Sequence, residues 1–247
     1  MSTDETIRPA RPTEDRRLFE APVPEPAPFV NTDPWRVLRI LGEFVMGFDE
    51  LAELGPSVTV FGSSRTTPDD PMYEKAVETT RMLGEAGFTI ITGGGPGIME
   101  AGNRGAMEAG AVSVGLGIEL PFEQKTNDYI TLELGFRYFF ARKTMFLKYA
   151  QAYLIFPGGW GTMDEMMEAL TLVQTDKIQH FPVILFGSDY WQGLLDWFRD
   201  RLLTEGKIST GDLDLFTVTD SPEEVVEVVV NSFKECERRR REMEGIG

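Results

Sequence analysis

Short apolar runs alternate with segments of helical periodicity along most of this chain, beyond Gly55 and Pro56. The apolar runs, which predict strands, cover residues 58–61, 88–92, 112–116, 129–134, 152–156, 182–186 and 215–218. Helical patterns fall between most of them, at residues 71–86, 97–109, 139–149, 162–174, 191–204 and 222–241. Strands that are apolar throughout and separated by helices are typical of a parallel sheet covered on both faces. We therefore expect an α/β fold, a single Rossmann-like doubly wound parallel sheet of about seven strands with helices on both faces.

The two ends of the chain fall outside this alternation. Residues 1–30 contain six prolines and charges of both signs, which predicts a disordered or loosely docked tail. Apolar residues then recur at helical spacing from Trp35 to about Leu54, which predicts a first helix. No linker is visible after it, so we expect residues 31–247 to form one Rossmann-like nucleotide-binding domain with an N-terminal helix and a C-terminal helical extension.

Composition narrows the classes of function. The chain has 24 basic and 40 acidic residues, a net charge of −16, which argues against nucleic acid or an anionic membrane as partner. One cysteine, Cys236, and one histidine, His180, argue against disulfides, Cys- or His-based metal sites and a Ser-His triad. We expect no metal and no cofactor. No apolar stretch approaches the roughly 18 residues of a membrane span, and no signal core is visible, so we expect a cytoplasmic protein.

The segment after the fifth apolar run carries the strongest functional signal. Pro157 is followed by three glycines within four residues (Gly158, Gly159 and Gly161) and then by a helical pattern from Thr162. A glycine loop that opens a helix exposes backbone N–H groups beside the positive end of the helix dipole, where a phosphate can bind. Asp164 and Glu165 follow one turn later. A simple phosphate site gains nothing from this negative charge, which favours chemistry on a sugar attached to the phosphate.

Two other glycine-rich segments end predicted strands, at residues 61–65 (FGSSR) and 92–97 (TGGGPG). Any one of the three loops could be only a tight turn, but at one edge of a doubly wound sheet they could form a single nucleotide-sized pocket. Neither GxxxxGK[ST] nor GxGxxG occurs at these positions, which argues against a P-loop NTPase and a conventional NAD site.

An adjacent basic pair, Arg142 and Lys143, lies in an otherwise apolar helical segment. Neighbours on a helix point about 100° apart, so the two side chains cannot address the same atom. A guanidinium here can bind a phosphate or a carboxylate bidentately. The alternative is an ion pair that ties the helix to the sheet or to a second subunit.

Together these motifs resemble the LOG family of cytokinin riboside 5′-monophosphate phosphoribohydrolases, often labelled "lysine decarboxylase", over about residues 57–235. The family's PGGxGTxEE motif appears as PGGWGTMDE at residues 157–165, and its Gly-Gly-Gly loop as GGGPGIMEA at residues 93–101. The Arg-Lys pair of the family matches Arg142 and Lys143. Nothing around Lys143 or Lys148 resembles a pyridoxal phosphate site, which argues against decarboxylation.

The resemblance implies hydrolysis of the N-glycosidic bond of an adenine-type nucleoside 5′-monophosphate, such as AMP or a cytokinin riboside monophosphate. Glu165 would be the catalytic carboxylate, Arg142 its partner that orients the substrate, and Glu100 an acceptor for ribose hydroxyls. The implied substrate- and phosphate-binding residues are Gly62, Ser63, Ser64, Gly94, Gly95, Met99, Glu100, Lys143, Gly158, Gly159, Trp160, Gly161 and Thr162.

Three positions depart from the family pattern. Asp164 replaces the first Glu of the acidic pair, Glu100 stands where the shorter plant-like members have Gly, and Phe140 stands where they have His. The chain therefore resembles the larger bacterial branch, for which plain AMP is as compatible a substrate as a cytokinin nucleotide. Family members assemble at least as dimers, so we expect a homodimer or a larger assembly, up to a hexamer.

Two other classes of function remain open at the level of sequence. One is a carrier that holds a phosphorylated nucleotide-like ligand without turnover, like the similar molybdenum-cofactor carrier proteins. Such a carrier would use the glycine loops but has little use for Glu165. The other is a structural or interaction protein with a vestigial pocket that acts through its terminal extensions.

Overall fold

The computed structural model describes residues 13–19, 29, 32–120, 125–178 and 181–243, and it confirms the predicted α/β fold. Seven parallel strands form one sheet in the order β4-β3-β2-β1-β5-β6-β7. The strands are β1 (Ser57–Phe61), β2 (Thr89–Thr92), β3 (Ser113–Ile118), β4 (Leu132–Phe136), β5 (Ala150–Ile155), β6 (Val183–Phe186) and β7 (Phe216–Thr219). The helices are α1 (Glu14–Leu18), α2 (Asp33–Glu50), α3 (Pro71–Glu85), α4 (Ile98–Glu108), α5 (Phe139–Tyr149), α6 (Trp160–Gln174), α7 (Ser188–Trp197) and α8 (Pro222–Met243).

The predicted boundaries differ from the observed ones in a few places. Strand β4 starts at Leu132 and not at residue 129, because Asn127 accepts the N–H of Tyr129 and holds that stretch in a turn. The predicted helix 191–204 begins earlier, at Ser188, and continues from Phe198 as a π-helix (Phe198–Leu203). The first helix ends at Glu50, short of residue 54. Of the proline-rich N-terminal segment, the structure describes residues 13–19 and 29.

Two apolar clusters cover the two faces of the sheet. Successive residues of a strand point to opposite faces, so in β5 Tyr153 and Ile155 face one cluster while Ala152 and Leu154 face the other. The first cluster contains core residues of α5, α6 and α7, and the second those of α3, α4 and α8. This double burial explains why the strands are apolar throughout. In the described part of the chain, no helix is long and apolar enough to cross a membrane.

The order of the strands places the topological switch between β1 and β5. From β1 the chain crosses to β2 on one side, and from β5 it crosses to β6 on the other. The loops that follow β1 and β5 therefore diverge, which opens a crevice at the carboxyl edge of the sheet. Two backbone hydrogen bonds join the bases of these loops, Phe156 N–H to Phe61 O (2.8 Å) and Ser63 N–H to Pro157 O (2.9 Å).

The close packing of α3 on α4 depends on Gly105. A Cβ at this position would collide with the backbone carbonyl of Val77 and with the side chain of Thr80. We expect Gly105→Ala to destabilise the protein by about 2–3 kcal/mol, because the helix axes must separate. Gly193→Ala is the matched control, since Gly193 is exposed in α7 with no atom near the new methyl group. It should stabilise the protein by about 0.5–1 kcal/mol through helix propensity.

Urea denaturation of the two variants beside the wild type measures both effects. Equal unfolding free energies for Gly105→Ala and the wild type would contradict this account of the helix packing.

Candidate active site

A cleft of about 640 Å³ opens beyond the carboxyl ends of β1 and β5. It brings together most of the residues that the sequence singled out, with the three glycine loops, Arg142 and Glu165 on its walls. The lining residues are Phe61, Gly62, Ser63, Ser64, Arg65, Gly93, Met99, Leu120, Phe139, Arg142, Phe146, Gly159, Trp160, Gly161, Thr162, Asp164 and Glu165. A smaller adjoining cavity of about 90 Å³ shares Gly93, Met99 and Arg142 and is lined by Gly94 and Gly95.

The N-terminus of α6 forms one wall of the cleft. Gly159 is the N-cap residue, and the first hydrogen bond of the helix runs from Met163 N–H to Gly159 O (3.0 Å). The N–H groups of Trp160, Gly161 and Thr162 precede that bond, so they are free of the helical ladder. Together with the helix dipole they form an anion-binding surface. Tyr190 fixes the loop from behind, because its hydroxyl donates to Gly158 O (2.6 Å).

The loops after β1 and β2 form the opposite wall and are joined to each other. Ile98 N–H donates to Ser63 O (3.0 Å) at the start of α4. Gly97 has φ 72° and approaches residues 63 and 64 so closely that a Cβ would collide with the Ser63 carbonyl. Only glycine combines this backbone conformation with this contact.

A buried amide network supports the second glycine loop from below. Asn103 accepts a hydrogen bond from Thr92 (2.6 Å) and donates one to Ser113 (2.8 Å). Asn127 donates to the carbonyls of Gly94 and Gly95 (3.1 Å each) and to Asn103 (3.0 Å). The network holds the Gly94–Gly95 peptide in place without a ligand.

Glu165 lies at the inner end of the cleft, in the second turn of α6. Its side chain is buried, with 4% of the residue exposed, and its Oε2 has no hydrogen-bond partner among the described residues. Burial raises the pKa of Glu165 from 4.5 to about 7, and the carboxylates of Glu168 and Asp164 add to the increase, while Lys143 and Arg142 oppose it. A carboxyl with a pKa near neutrality, open to a cleft, is suited to proton transfer.

Arg142 faces the same space from α5. The carbon at the centre of its guanidinium lies 4.9 Å from the ring centroid of Phe139 and 5.4 Å from that of Phe146. Its buried Nε has no hydrogen-bond partner in the part of the chain that the structure describes, and no ion pair of Arg142 occurs there. Burial lowers the pKa of this guanidinium, while Glu165, Asp15 and Asp164 raise it. The ion pair to the sheet that was considered as an alternative is therefore absent from the described residues, and an ion pair to a second subunit stays an alternative.

Lys143 and Glu100 were predicted to bind the substrate, but neither lines the cleft. The Nζ of Lys143 lies 2.9 Å from Asp164 Oδ2 and 2.8 Å from Glu168 Oε2 and so ties α5 to α6. Burial lowers the pKa of Lys143, but the two carboxylates outweigh it and the net shift is upward. Glu100 accepts a hydrogen bond from the hydroxyl of Tyr73 on α3 (2.9 Å). Each follows a cleft residue by one position, and the helix turns it to another face.

Several cleft residues were not predicted. Phe139 and Phe146 flank the guanidinium of Arg142, and Arg65 adds a second cation at the mouth. The apolar character of residues 139–146 was visible in the sequence, but it did not show which rings face Arg142. Asp15 lies close enough to Arg142 to affect its pKa, and no sequence signal identified that residue.

Glu165 should make stability depend on pH. Since its folded-state pKa is raised, the unfolded chain releases this proton between about pH 4.5 and 7 while the folded protein retains it. Stability therefore falls as the pH rises through this window, by at most about 3 kcal/mol. Glu165→Gln should then be more stable than the wild type at pH 8 and nearly equal to it at pH 4.5. Urea denaturation at both pH values, with the exposed Glu85→Gln as control, measures this, and a difference independent of pH would refute it.

Comparisons with known proteins identify the family of this chain. The family model described as "Possible lysine decarboxylase" matches residues 99–229, more than half of the chain. A probable cytokinin riboside 5′-monophosphate phosphoribohydrolase of Oryza sativa subsp. japonica is 27% identical over 174 residues, 69% of this chain and 74% of that protein. A cytokinin riboside 5′-monophosphate phosphoribohydrolase of Arabidopsis thaliana is 26% identical over 198 residues, 77% of this chain and 91% of that protein.

Among solved structures, the molybdenum cofactor binding protein of Rippkaea orientalis has the same fold, with a TM-score of 0.54 and 21% identity over 72% of this chain and 98% of that one. The matched region of the family model includes Arg142, the glycine loop at the start of α6 and Glu165. The chain therefore belongs to the LOG family, whose model is described as possible lysine decarboxylase.

Proposed function

We propose that this protein hydrolyses the N-glycosidic bond of adenine-type nucleoside 5′-monophosphates, AMP or a cytokinin riboside monophosphate, to free base and ribose 5-phosphate. The observation that carries the proposal is the placement of the buried Glu165 carboxyl and the Arg142 guanidinium in one cleft with the N-terminus of α6. Among the described residues, Arg142 has no ion-pair partner. The named relatives support the class of substrate.

The phosphate would bind at the N-terminus of α6. The N–H groups of Trp160, Gly161 and Thr162 offer donors there, and the dipole favours an anion. Arg65 and Arg142 lie on the same cleft and offset the acidity of Asp164 and Glu165. This local balance lets an anion bind to a protein whose net charge is −16.

Glu165 would act on the sugar. When the bond between C1′ and the base breaks, its electron pair goes to the base and the sugar becomes oxocarbenium-like. The ionised Glu165 stabilises this positive charge and takes the proton of a water molecule whose oxygen bonds to C1′. The departing base takes up a proton, so the products are the neutral base and ribose 5-phosphate.

Arg142 would stabilise the leaving side. Its guanidinium is held between two aromatic rings and can donate hydrogen bonds to a base that gains electron density. Because the charge of Arg142 also opposes the increase in the pKa of Glu165, it helps to keep the carboxyl partly ionised at neutral pH.

The deciding experiment is product release. The full chain is incubated with AMP and with isopentenyladenosine monophosphate, and free base is measured by chromatography. We expect release with the wild type and a loss of at least about 100-fold in Glu165→Gln, since the amide cannot accept a proton. Glu85→Gln is the control, because that carboxylate lies on the exposed surface of α3 and should leave the rate unchanged.

Absence of base from both substrates, with nucleotide binding retained, would instead support a carrier. The Rippkaea orientalis neighbour is named as a molybdenum cofactor binding protein, and its 21% identity establishes the fold alone.

The rate should depend on pH through Glu165. Its pKa of about 7 leaves the carboxyl mostly protonated at pH 6 and mostly ionised at pH 8. Because the ionised form accepts the proton, kcat/KM should rise about tenfold from pH 6 to pH 8 and level off above it. A profile that falls over this range would assign Glu165 the role of a general acid.

We also propose that the protein self-associates through α2. Five apolar side chains on its outer face are between 39% and 68% exposed, namely Val37, Leu38, Leu41, Val45 and Phe48. A helix whose apolar stripe is left open is typical of an interface. Light scattering should give at least a dimeric mass for the wild type and a monomeric mass for the double variant Leu41→Asp, Val45→Asp. A monomeric wild type would contradict the proposal.

A further inference from the structure

The short helix α1 makes specific contacts with the rest of the fold, although the sequence around it predicts a disordered or loosely docked tail. Glu14 is buried, its Oε2 lies 3.1 Å from Arg39 of α2, and it accepts a hydrogen bond from the hydroxyl of Tyr138 (3.3 Å). The N–H of Glu14 donates to Glu119 (3.2 Å), which precedes the cleft residue Leu120. Helix α1 therefore joins the end of β3 to the start of α5.

Carboxylates from the N-terminal part of the chain cap the start of α5. Glu43 of α2 accepts the N–H groups of Arg137 (3.0 Å) and Tyr138 (3.2 Å). Asp15 of α1 accepts the next N–H, that of Phe139 (3.0 Å). Three successive N–H groups that the helix cannot satisfy itself are thus satisfied by two side chains distant in sequence.

Phe139, whose N–H donates to Asp15, also contacts the guanidinium of Arg142 with its ring. The ring of Phe139 lies 4.9 Å from the guanidinium, and both side chains line the cleft. Burial raises the pKa of Asp15, while the Phe139 N–H and the charge of Arg142 oppose that increase. Of the three capped N–H groups, that of Phe139 therefore depends on an acceptor supplied by α1.

We infer that Asp15 is a positioning residue of the active site, which fixes Phe139 and, through it, the guanidinium of Arg142. The kinetic part of this inference rests on the proposed hydrolase function. Asp15 itself lines no part of the cleft, so its effect would pass through α5. Loss of the acceptor would leave Arg142 with more orientations and lower its contribution to the transition state.

The test compares two substitutions of Asp15. Asp15→Asn retains an oxygen that can accept the Phe139 N–H, whereas Asp15→Ala removes it. We expect Asp15→Ala to lower kcat about tenfold with a change in KM below threefold, and Asp15→Asn to stay within threefold of the wild type. Asp33→Ala is the control, because Asp33 is an exposed first-turn acid of α2 that pairs with Arg36 and does not contact α5. It should leave kcat unchanged.

A second measurement does not require turnover. The Nε–H resonance of Arg142, assigned by its loss in Arg142→Lys, should shift or broaden in Asp15→Ala and remain in place in Asp15→Asn. If the wild type releases no base, this resonance still tests the positioning role separately from the proposed hydrolysis. An unchanged resonance and an unchanged kcat in folded Asp15→Ala would overturn the inference, as would equal losses in both variants.

Discussion

The divergence of the chain after β1 and β5 is the constraint on which the rest of the site depends. Two backbone hydrogen bonds hold the bases of the two loops together, and the crossovers then carry them apart. The opening between them is buried at its base and exposed to solvent at its mouth. Helix α6 crosses this gradient within two turns, from Trp160, which is 92% exposed, to Glu165, which is 4% exposed. One short segment thus supplies both exposed backbone N–H donors and a desolvated carboxyl.

Glu165 is buried although its Oε2 has no hydrogen-bond partner among the described residues, and this burial of a carboxyl costs free energy. Lys143 is a neighbouring cation, but Asp164 and Glu168 hold it in ion pairs. Its charge still opposes the increase in the pKa of Glu165, although it makes no direct pair with that carboxyl in the described structure. The result is a carboxyl balanced between its two protonation states near neutral pH, which a direct pair with a lysine would have prevented.

Much of the fold could be predicted from the sequence because its signals are local. Most strands are largely apolar runs, and each glycine loop directly follows a strand, so the α/β class and the edge that carries the loops could be predicted. In α5, apolar residues occur on every side of Arg142 and Lys143, so the sequence does not show which face of the helix points toward the cleft. The family resemblance implied that Lys143 and Glu100 bind substrate, although the structure places both outside the cleft lining. Asp15 and Phe139 are 124 positions apart in the sequence, and no local sequence pattern predicts their contact.

The way in which Arg142 is held agrees with a role toward a ligand. A buried pair with Glu165 would fix the guanidinium equally well, but separating such a pair costs about 3–5 kcal/mol, and every binding event would have to supply it. Contacts with aromatic rings are worth about 0.5–2 kcal/mol and use the face of the guanidinium, not its N–H groups. Phe139 and Phe146 therefore restrict where the cation lies without using its N–H donors. The side chain is ordered before the ligand arrives, and its hydrogen-bonding capacity is kept for the ligand.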